Sequence, residues 1–309
     1  MLLQTMVPIF GLMALGFTAV RVGLMEQTGV KGLVLFVFNF SIPSLLLTSM
    51  VALEFPPDMD WRFLIAFYGA SLLVYGGGAL LGRFVFGRSL SEQAIFGMGA
   101  AFSNLVLMGI PIVLTALGPE ASLPMLLIIG FHSATFMPLT VILIQAGKGS
   151  EGSFGQRAAR VLADVIRNPI ILGIFTGLLL NVTGIEIWPP AAGMLDFLGA
   201  AAVPCALFAM GASIAGYPLT GDVAPAVALS SLKLILHPFL VWLIAGPLLG
   251  LSGLWMSVAV LLAAMPSAVN VYLFGARYDA APGIAARSVL LTTVGSMVTI
   301  SVILVLIGV

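Results

Sequence analysis

Charge is scarce in this chain. Only 8% of its 309 residues are charged and 61% are hydrophobic, whereas soluble domains are about 25% charged. So few charges cannot cover a soluble globule of this length, and lipid is the solvent such a composition suits. Net charge is zero, and Lys and Arg lie in short connections rather than clusters, so no basic field exists to attract nucleic acid. The single cysteine, Cys205, excludes an intrachain disulfide and a multi-cysteine metal site. Carboxylates are missing from the middle of every apolar run. All of them, from Glu26, Glu54, Asp58, Asp60, Glu92 and Glu120 to Glu151, Asp164, Glu186, Asp196, Asp222 and Asp279, map to connections or run ends. The buried acid that sodium or proton coupling commonly uses is therefore absent. His132 and His237 fall in different runs with no acid to join them, so neither a metal centre nor a cofactor is expected. HExxH, GxSxG and paired mid-run carboxylates are also lacking, which argues against an intramembrane enzyme.

Apolar runs of about 18 to 25 residues recur instead along the whole length. They predict spans near residues 2–20, 32–53, 62–82, 93–117, 121–146, 168–184, 193–216, 223–249, 253–275 and 283–308. Backbone polar groups cannot stay unpaired in hydrocarbon, and these runs are too long for barrel strands, so ten helices are expected. The first run begins at Met1 with no basic residue before Arg21, and reads as a span rather than a secretory leader. Arg21, Lys31, Arg83, Arg88, Lys148, Arg157, Arg160, Arg167, Arg277 and Arg287 all fall on the side of the odd-numbered connections; Arg62 alone falls opposite. That bias predicts a multi-pass protein of the cell membrane with both termini outside. Trp61, Trp188 and Trp255 mark span ends on the outer side, as interfacial anchors.

The polar stretch from Gly147 to Asn168 divides the runs five and five, so residues 1–147 and 168–309 read as two repeats joined by a cytoplasmic loop at 148–167. Pro8 and Pro169 are 161 residues apart, as are Pro43 and Pro204 (169 − 8 and 204 − 43). An odd number of spans per repeat inverts the second half, the plan of many secondary transporters. Breakers pair across the halves as well. The fourth span carries Asn104, Gly109 and Pro111; the ninth carries Pro266, Ser267 and Asn270. Discontinuous helices at matching positions point to a midplane site, because freed amides and half-helix ends can hold a charged solute.

Five segments together, "SNLVLMGIPIV", "RNPIILGIFTGLLL", "VPCALFAMGAS", "SLKLILHPFLVW" and "AAMPSAVNVYLFGARY", resemble the auxin efflux carrier family. That family includes plant PIN-type carriers and bacterial malonate-type transporters. The resemblance implies an all-α integral membrane fold of ten transmembrane helices in two inverted five-helix repeats, with the fourth and ninth helices crossed and broken. It further implies an elevator-like transport domain moving against a homodimeric scaffold of the first, second, sixth and seventh helices. By that resemblance Asn104, Gly109, Pro111, Pro266 and Asn270 mark the crossover where a carboxylate binds. The long central loop of the plant members is missing here.

Other polar residues add candidates. Ser44 beside Pro43 either bonds the preceding carbonyls of its own helix or faces the crossover. His132, at the middle of the fifth span, is either a helix-to-helix hydrogen bonder or a ligand. Cys205, beside Pro204, either packs or lines the site. Lys233 lies inside the eighth span with His237 one turn later. About ten residues precede it in the span, or about 15 Å at 1.5 Å per residue, so it sits deep in the bilayer. Such a lysine snorkels, stands in for a coupling cation, or attracts the solute. The expected function is secondary transport of a small organic anion, a malonate-like dicarboxylate or an aromatic carboxylate, by alternating access. The alternatives are a sodium-coupled organic-anion symporter of the bile-acid type and a non-transporting membrane receptor. Lipid and a second copy are the expected partners.

Overall fold

A computed structural model describes residues 2–52, 60–148, 169–216 and 222–308. Most of the connection at 148–167, with Arg157, Arg160 and Arg167, lies outside the described residues. The described chain is helical and forms no strand; its one β-bridge is an isolated pair, Ser103 with Ser267. Six helical stretches are long and apolar enough to cross a bilayer: Gln27–Val51, Arg62–Phe84, Pro119–Gly147, Pro189–Ala215, Val223–Leu248 and Pro282–Leu306. Four shorter apolar helices accompany them, Val7–Arg21, Leu105–Leu117, Pro169–Thr183 and Gly253–Ala263.

In chain order the helices are α1 (Leu2–Arg21), α2 (Gln27–Phe36), α3 (Ile42–Val51), α4 (Arg62–Phe84), α5 (Leu90–Ala101), α6 (Ile110–Leu117), α7 (Ser122–Gly147), α8 (Pro169–Thr183), α9 (Pro189–Ala200) and α10 (Ala202–Ala215). They continue with α11 (Val223–Ser231), α12 (His237–Leu243), α13 (Gly253–Ala263), α14 (Val269–Arg277) and α15 (Pro282–Leu306). Two starts fall earlier than hydropathy predicts. The second span opens at Gln27 because its first turn carries Gln27, Thr28 and Lys31, which lower the local hydropathy without opposing a helix. The seventh opens at Pro189, since proline suits a first helical turn whose N–H groups lack partners anyway. α5 starts with a reciprocal cap, in which Ser89 Oγ accepts from Glu92 N while Glu92 Oε2 accepts from Ser89 N.

Proline shapes the spans less by breaking them than by widening the preceding turn. π-helical turns at Val37–Ser41, Leu105–Gly109 and Leu232–Leu236 each run directly into a helix whose second residue is proline, namely Pro43, Pro111 and Pro238. Proline lacks an N–H and its ring crowds the carbonyl four residues back, so an extra residue in the turn removes the clash. Lys233 sits in the third of these turns.

Helix pairs meet where glycine lets backbones touch. A Cβ on Gly16 of α1 would stand 2.1 Å from Phe208 O of α10, and one on Gly177 of α8 would stand 2.4 Å from Leu47 O of α3. Neither distance admits a side chain, so α1 lies on α10 and α8 on α3 in direct backbone contact. Trp61 and Trp188 are exposed just before α4 and α9, while Trp255 packs edge-on against Phe63 at 4.8 Å.

Candidate functional site

The helical ladder is lost at two places, Phe102–Asn104 between α5 and the π turn before α6, and Ala264–Ala268 between α13 and α14. The sequence places the first break around Asn104, Gly109 and Pro111. The structure confines it to the residues ahead of the π turn, because that turn lets Pro111 stay inside a helix. The two breaks lie antiparallel against each other: Asn104 N donates to Pro266 O at 2.8 Å, and Ala268 N donates to Phe102 O at 3.0 Å. Amides freed by one break thus satisfy carbonyls of the other, which allows non-helical backbone in a buried place.

The remaining groups at the breaks are held by side chains in a parallel fashion. Ser103 N donates to His132 Nε2 on α7 at 3.0 Å, and Ser267 N donates to Thr292 Oγ1 on α15 at 3.1 Å. At the C-terminal end of α5, Gly99 O accepts from Ser267 Oγ at 2.6 Å; at that of α13, Ala263 O accepts from Lys233 Nζ at 2.7 Å. Lys233 is fully buried. It also donates to Ser103 Oγ at 2.6 Å and meets His237 Nδ1 at 2.8 Å, and His237 Nε2 lies 2.7 Å from Ser71 Oγ. The lysine therefore does not snorkel. No ion pair among the described residues involves it, so dipoles alone surround its amine.

A cavity of about 250 Å³ opens beside the crossover, lined by Ser103, Asn104, His132, Ser133, Ser213, Asn270 and apolar side chains that include Val34, Phe38, Phe102, Ile170 and Leu273. Among the described residues, no carboxylate, lysine or arginine lines it. Two of its lining side chains, His132 and Asn104, have a donor without a strong acceptor. An amide can only donate, so His132 Nε2 must accept from Ser103 N and the ring carries its hydrogen on Nδ1. That Nδ1–H is buried without a protein partner. Asn104 Oδ1 accepts from Leu107 N at 3.3 Å, while its Nδ2 reaches only the Met210 thioether, at 3.1 Å. Sulfur is a weak acceptor, so that amide remains available. Phe102 stacks on the His132 ring with centroids 4.6 Å apart and holds it in place.

The structure thus brings Asn104, His132 and Asn270 to one cavity, with Pro266, Ser267, Lys233 and His237 packed behind it. Gly109 lies against α13, a Cβ there standing 3.0 Å from the Leu262 side chain. Pro111, Ser44 and Cys205 lie off the cavity lining, in α6, α3 and α10. Ser103, Ser71 and Thr292 escape sequence reasoning, because serine and threonine in a span usually bond their own preceding turn. Only the unwound backbone turns Ser103 toward other helices. Two larger cavities lack this chemistry. One of about 590 Å³ between α12, α13 and α15 is almost wholly apolar, and one of about 800 Å³ carries the carboxylates Glu120 and Asp196.

An all-helical chain rich in apolar spans, with a cavity opening where two interrupted helices meet, has the build of a membrane transport protein. A family model described as "Membrane transport protein" matches residues 1–304, and the chain belongs to this family, the auxin efflux carriers. It is 31% identical over 306 residues to the "Putative malonate transporter" of Rhizobium meliloti, covering 97% of this chain and 94% of the relative. It is 24% identical over 303 residues to an "Uncharacterized transporter" of Methanothermobacter thermautotrophicus, covering 96% and 95%. Similarity to the mouse "Lysosomal cholesterol signaling protein" is 28% over 219 residues, two thirds of this chain but a quarter of that protein.

Proposed function

We propose that the chain is a secondary carrier for a small carboxylate-bearing anion, bound in the crossover cavity and moved by alternating access. One observation carries this reading: Asn104, which lines the cavity, has an Nδ2–H that meets only a thioether, the lining residue His132 keeps a buried Nδ1–H without a protein partner, Lys233 lies behind Ser103, and no acid is among the lining residues. Such a site suits a carboxylate, and would leave a cation or an apolar solute with buried donors unmatched. Its volume of about 250 Å³ lies below the ~300–1,000 Å³ of pockets for drug-sized ligands. A malonate-like dicarboxylate, in line with the Rhizobium relative's name, or a compact aromatic carboxylate is the intended cargo.

Ten spans in two inverted repeats support alternating access. Gly16 against Phe208 and Gly177 against Leu47 are the same contact displaced by 161 residues (177 − 16 and 208 − 47), the offset that also relates Pro8 to Pro169 and Pro43 to Pro204. His132 holding Ser103 N and Thr292 holding Ser267 N are a looser parallel, displaced by 160 and 164 residues (292 − 132 and 267 − 103). In this reading α1, α2, α3, α8, α9 and α10 form the scaffold, which also joins two copies, and the remaining helices form the moving domain. Both termini face outside. The cavity is open to the inner side, since Val34, Ile170, Ser213 and Leu273 of its lining all lie in the inner halves of their spans. Uptake of labelled malonate and phenylacetate into liposomes containing the purified protein tests the proposal. Saturable, mutually competitive uptake is expected, and flux no faster than in empty liposomes for every small carboxylate tried would overturn it.

A further inference from the structure

The geometry points to a proton as the ion that travels with the solute, held on Lys233 and signalled to the cavity by the hydroxyl of Ser103; this rests on the anion-carrier reading above. Lys233 Nζ has three neighbours, and two of them only accept. Ala263 O is a carbonyl. His237 Nδ1 accepts in the tautomer that satisfies every group here, in which Ser71 Oγ donates to Phe67 O at 2.6 Å and accepts from His237 Nε2–H. Either an amine or an ammonium satisfies both with two N–H groups.

The third neighbour, Ser103 Oγ at 2.6 Å, decides between the two states. An ammonium donates its third N–H to that oxygen, and the serine hydrogen is left to turn into the cavity that Ser103 lines. A neutral amine instead takes the serine hydrogen on its lone pair, and the hydroxyl is lost to the cavity. One hydroxyl has one hydrogen and cannot do both. Proton uptake, R–NH2 + H+ → R–NH3+, thus releases a donor to the carboxylate and puts a positive charge behind it, with no covalent change in the solute. The bound anion in turn compensates a charge that no acid among the described residues compensates. By linkage, anion and proton each favour the binding of the other.

Other titratable groups near Lys233 do not share this arrangement. His132 Nε2 accepts an amide and His237 Nδ1 faces the lysine, so protonating either nitrogen would break its bond. Tyr68 and Tyr75 of α4 donate to Ile128 O and Ala94 O. Glu92, at the start of α5, is tied to Ser89 and Arg88, α13 has no titratable side chain, and Arg287 lies near the start of α15.

The test is calorimetric titration of the purified protein with malonate, acetate and phenylacetate, each in two buffers of unlike ionisation enthalpy. Uptake of close to one proton per anion is expected at pH values where the free lysine is neutral, with affinity falling about tenfold per pH unit there. Ser103→Ala should bind more weakly, with smaller proton uptake and a shallower pH profile, and Lys233→Met should show neither uptake nor pH dependence. Ser103→Ala keeps the test open should the Lys233 variant not fold. Binding without proton uptake from neutral to alkaline pH overturns the inference while leaving the anion carrier standing. Uptake that persists undiminished in Ser103→Ala and Lys233→Met but vanishes in His132→Gln also overturns it. If none of the three carboxylates binds, the anion reading fails and this inference fails with it.

Discussion

At the scale of single residues, the cavity separates candidates that sequence pattern treats alike. Asn104 offers Nδ2–H to a cavity and to a weak thioether acceptor, so a bound carboxylate gains a charge-assisted bond at little cost to the protein. Such bonds contribute about 1.5–3 kcal/mol, so Asn104→Ala should weaken binding by about 10- to 100-fold while the protein stays folded in detergent; calorimetry checks both. Asn270→Ala should weaken it less, since Asn270 lines the cavity but lies one residue inside α14 rather than at the break. Ser44→Ala and Cys205→Ala should leave affinity unchanged, because neither residue lines the cavity. A large loss in either would show that the solute reaches beyond the crossover cavity.

At the scale of elements, glycine and proline set how the helices meet. A methyl at Gly16 or Gly177 would strike a carbonyl oxygen of the facing helix, at 2.1 and 2.4 Å. Overpacking of this kind costs about 1–3 kcal/mol, so Gly16→Ala and Gly177→Ala should each lower the melting temperature clearly. Gly76→Ala, where nothing lies within 4 Å of the added carbon, should be neutral or slightly stabilising, since alanine favours a helix. Equal melting curves for all three would mean that α1 and α8 can move off their partners freely. The π turns are the feature of the elements that pattern reading lacks. Proline in an apolar span announces a disturbance, but whether the helix kinks, breaks or widens depends on what the neighbouring helices offer the displaced carbonyls. The fourth span accordingly keeps Pro111 in helix and breaks at Phe102–Asn104, where Pro266 O and His132 receive the freed amides.

At the scale of the whole molecule, orientation is testable without a substrate. Cysteines placed at Ser150 and Ser153, in a Cys205→Ser background, should be shielded from impermeant thiol reagents in intact cells, given the bias of Lys and Arg toward that side. Rapid labelling from outside would turn the molecule over. Much of the architecture is legible from the chain alone: the apolar composition, the all-helical membrane class, the paired breaks near Asn104 and Asn270 and the place of Lys233 inside a helical span follow from side-chain type and spacing. They do so because the bilayer imposes length and backbone pairing on every span independently of its neighbours. The partners of Lys233, the tautomer of His132 and the cavity that gathers Asn104, His132 and Asn270 come from different helices. Only their packing decides these, because a hydrogen bond between residues 130 positions apart, as between Ser103 and Lys233, leaves no periodic trace in sequence.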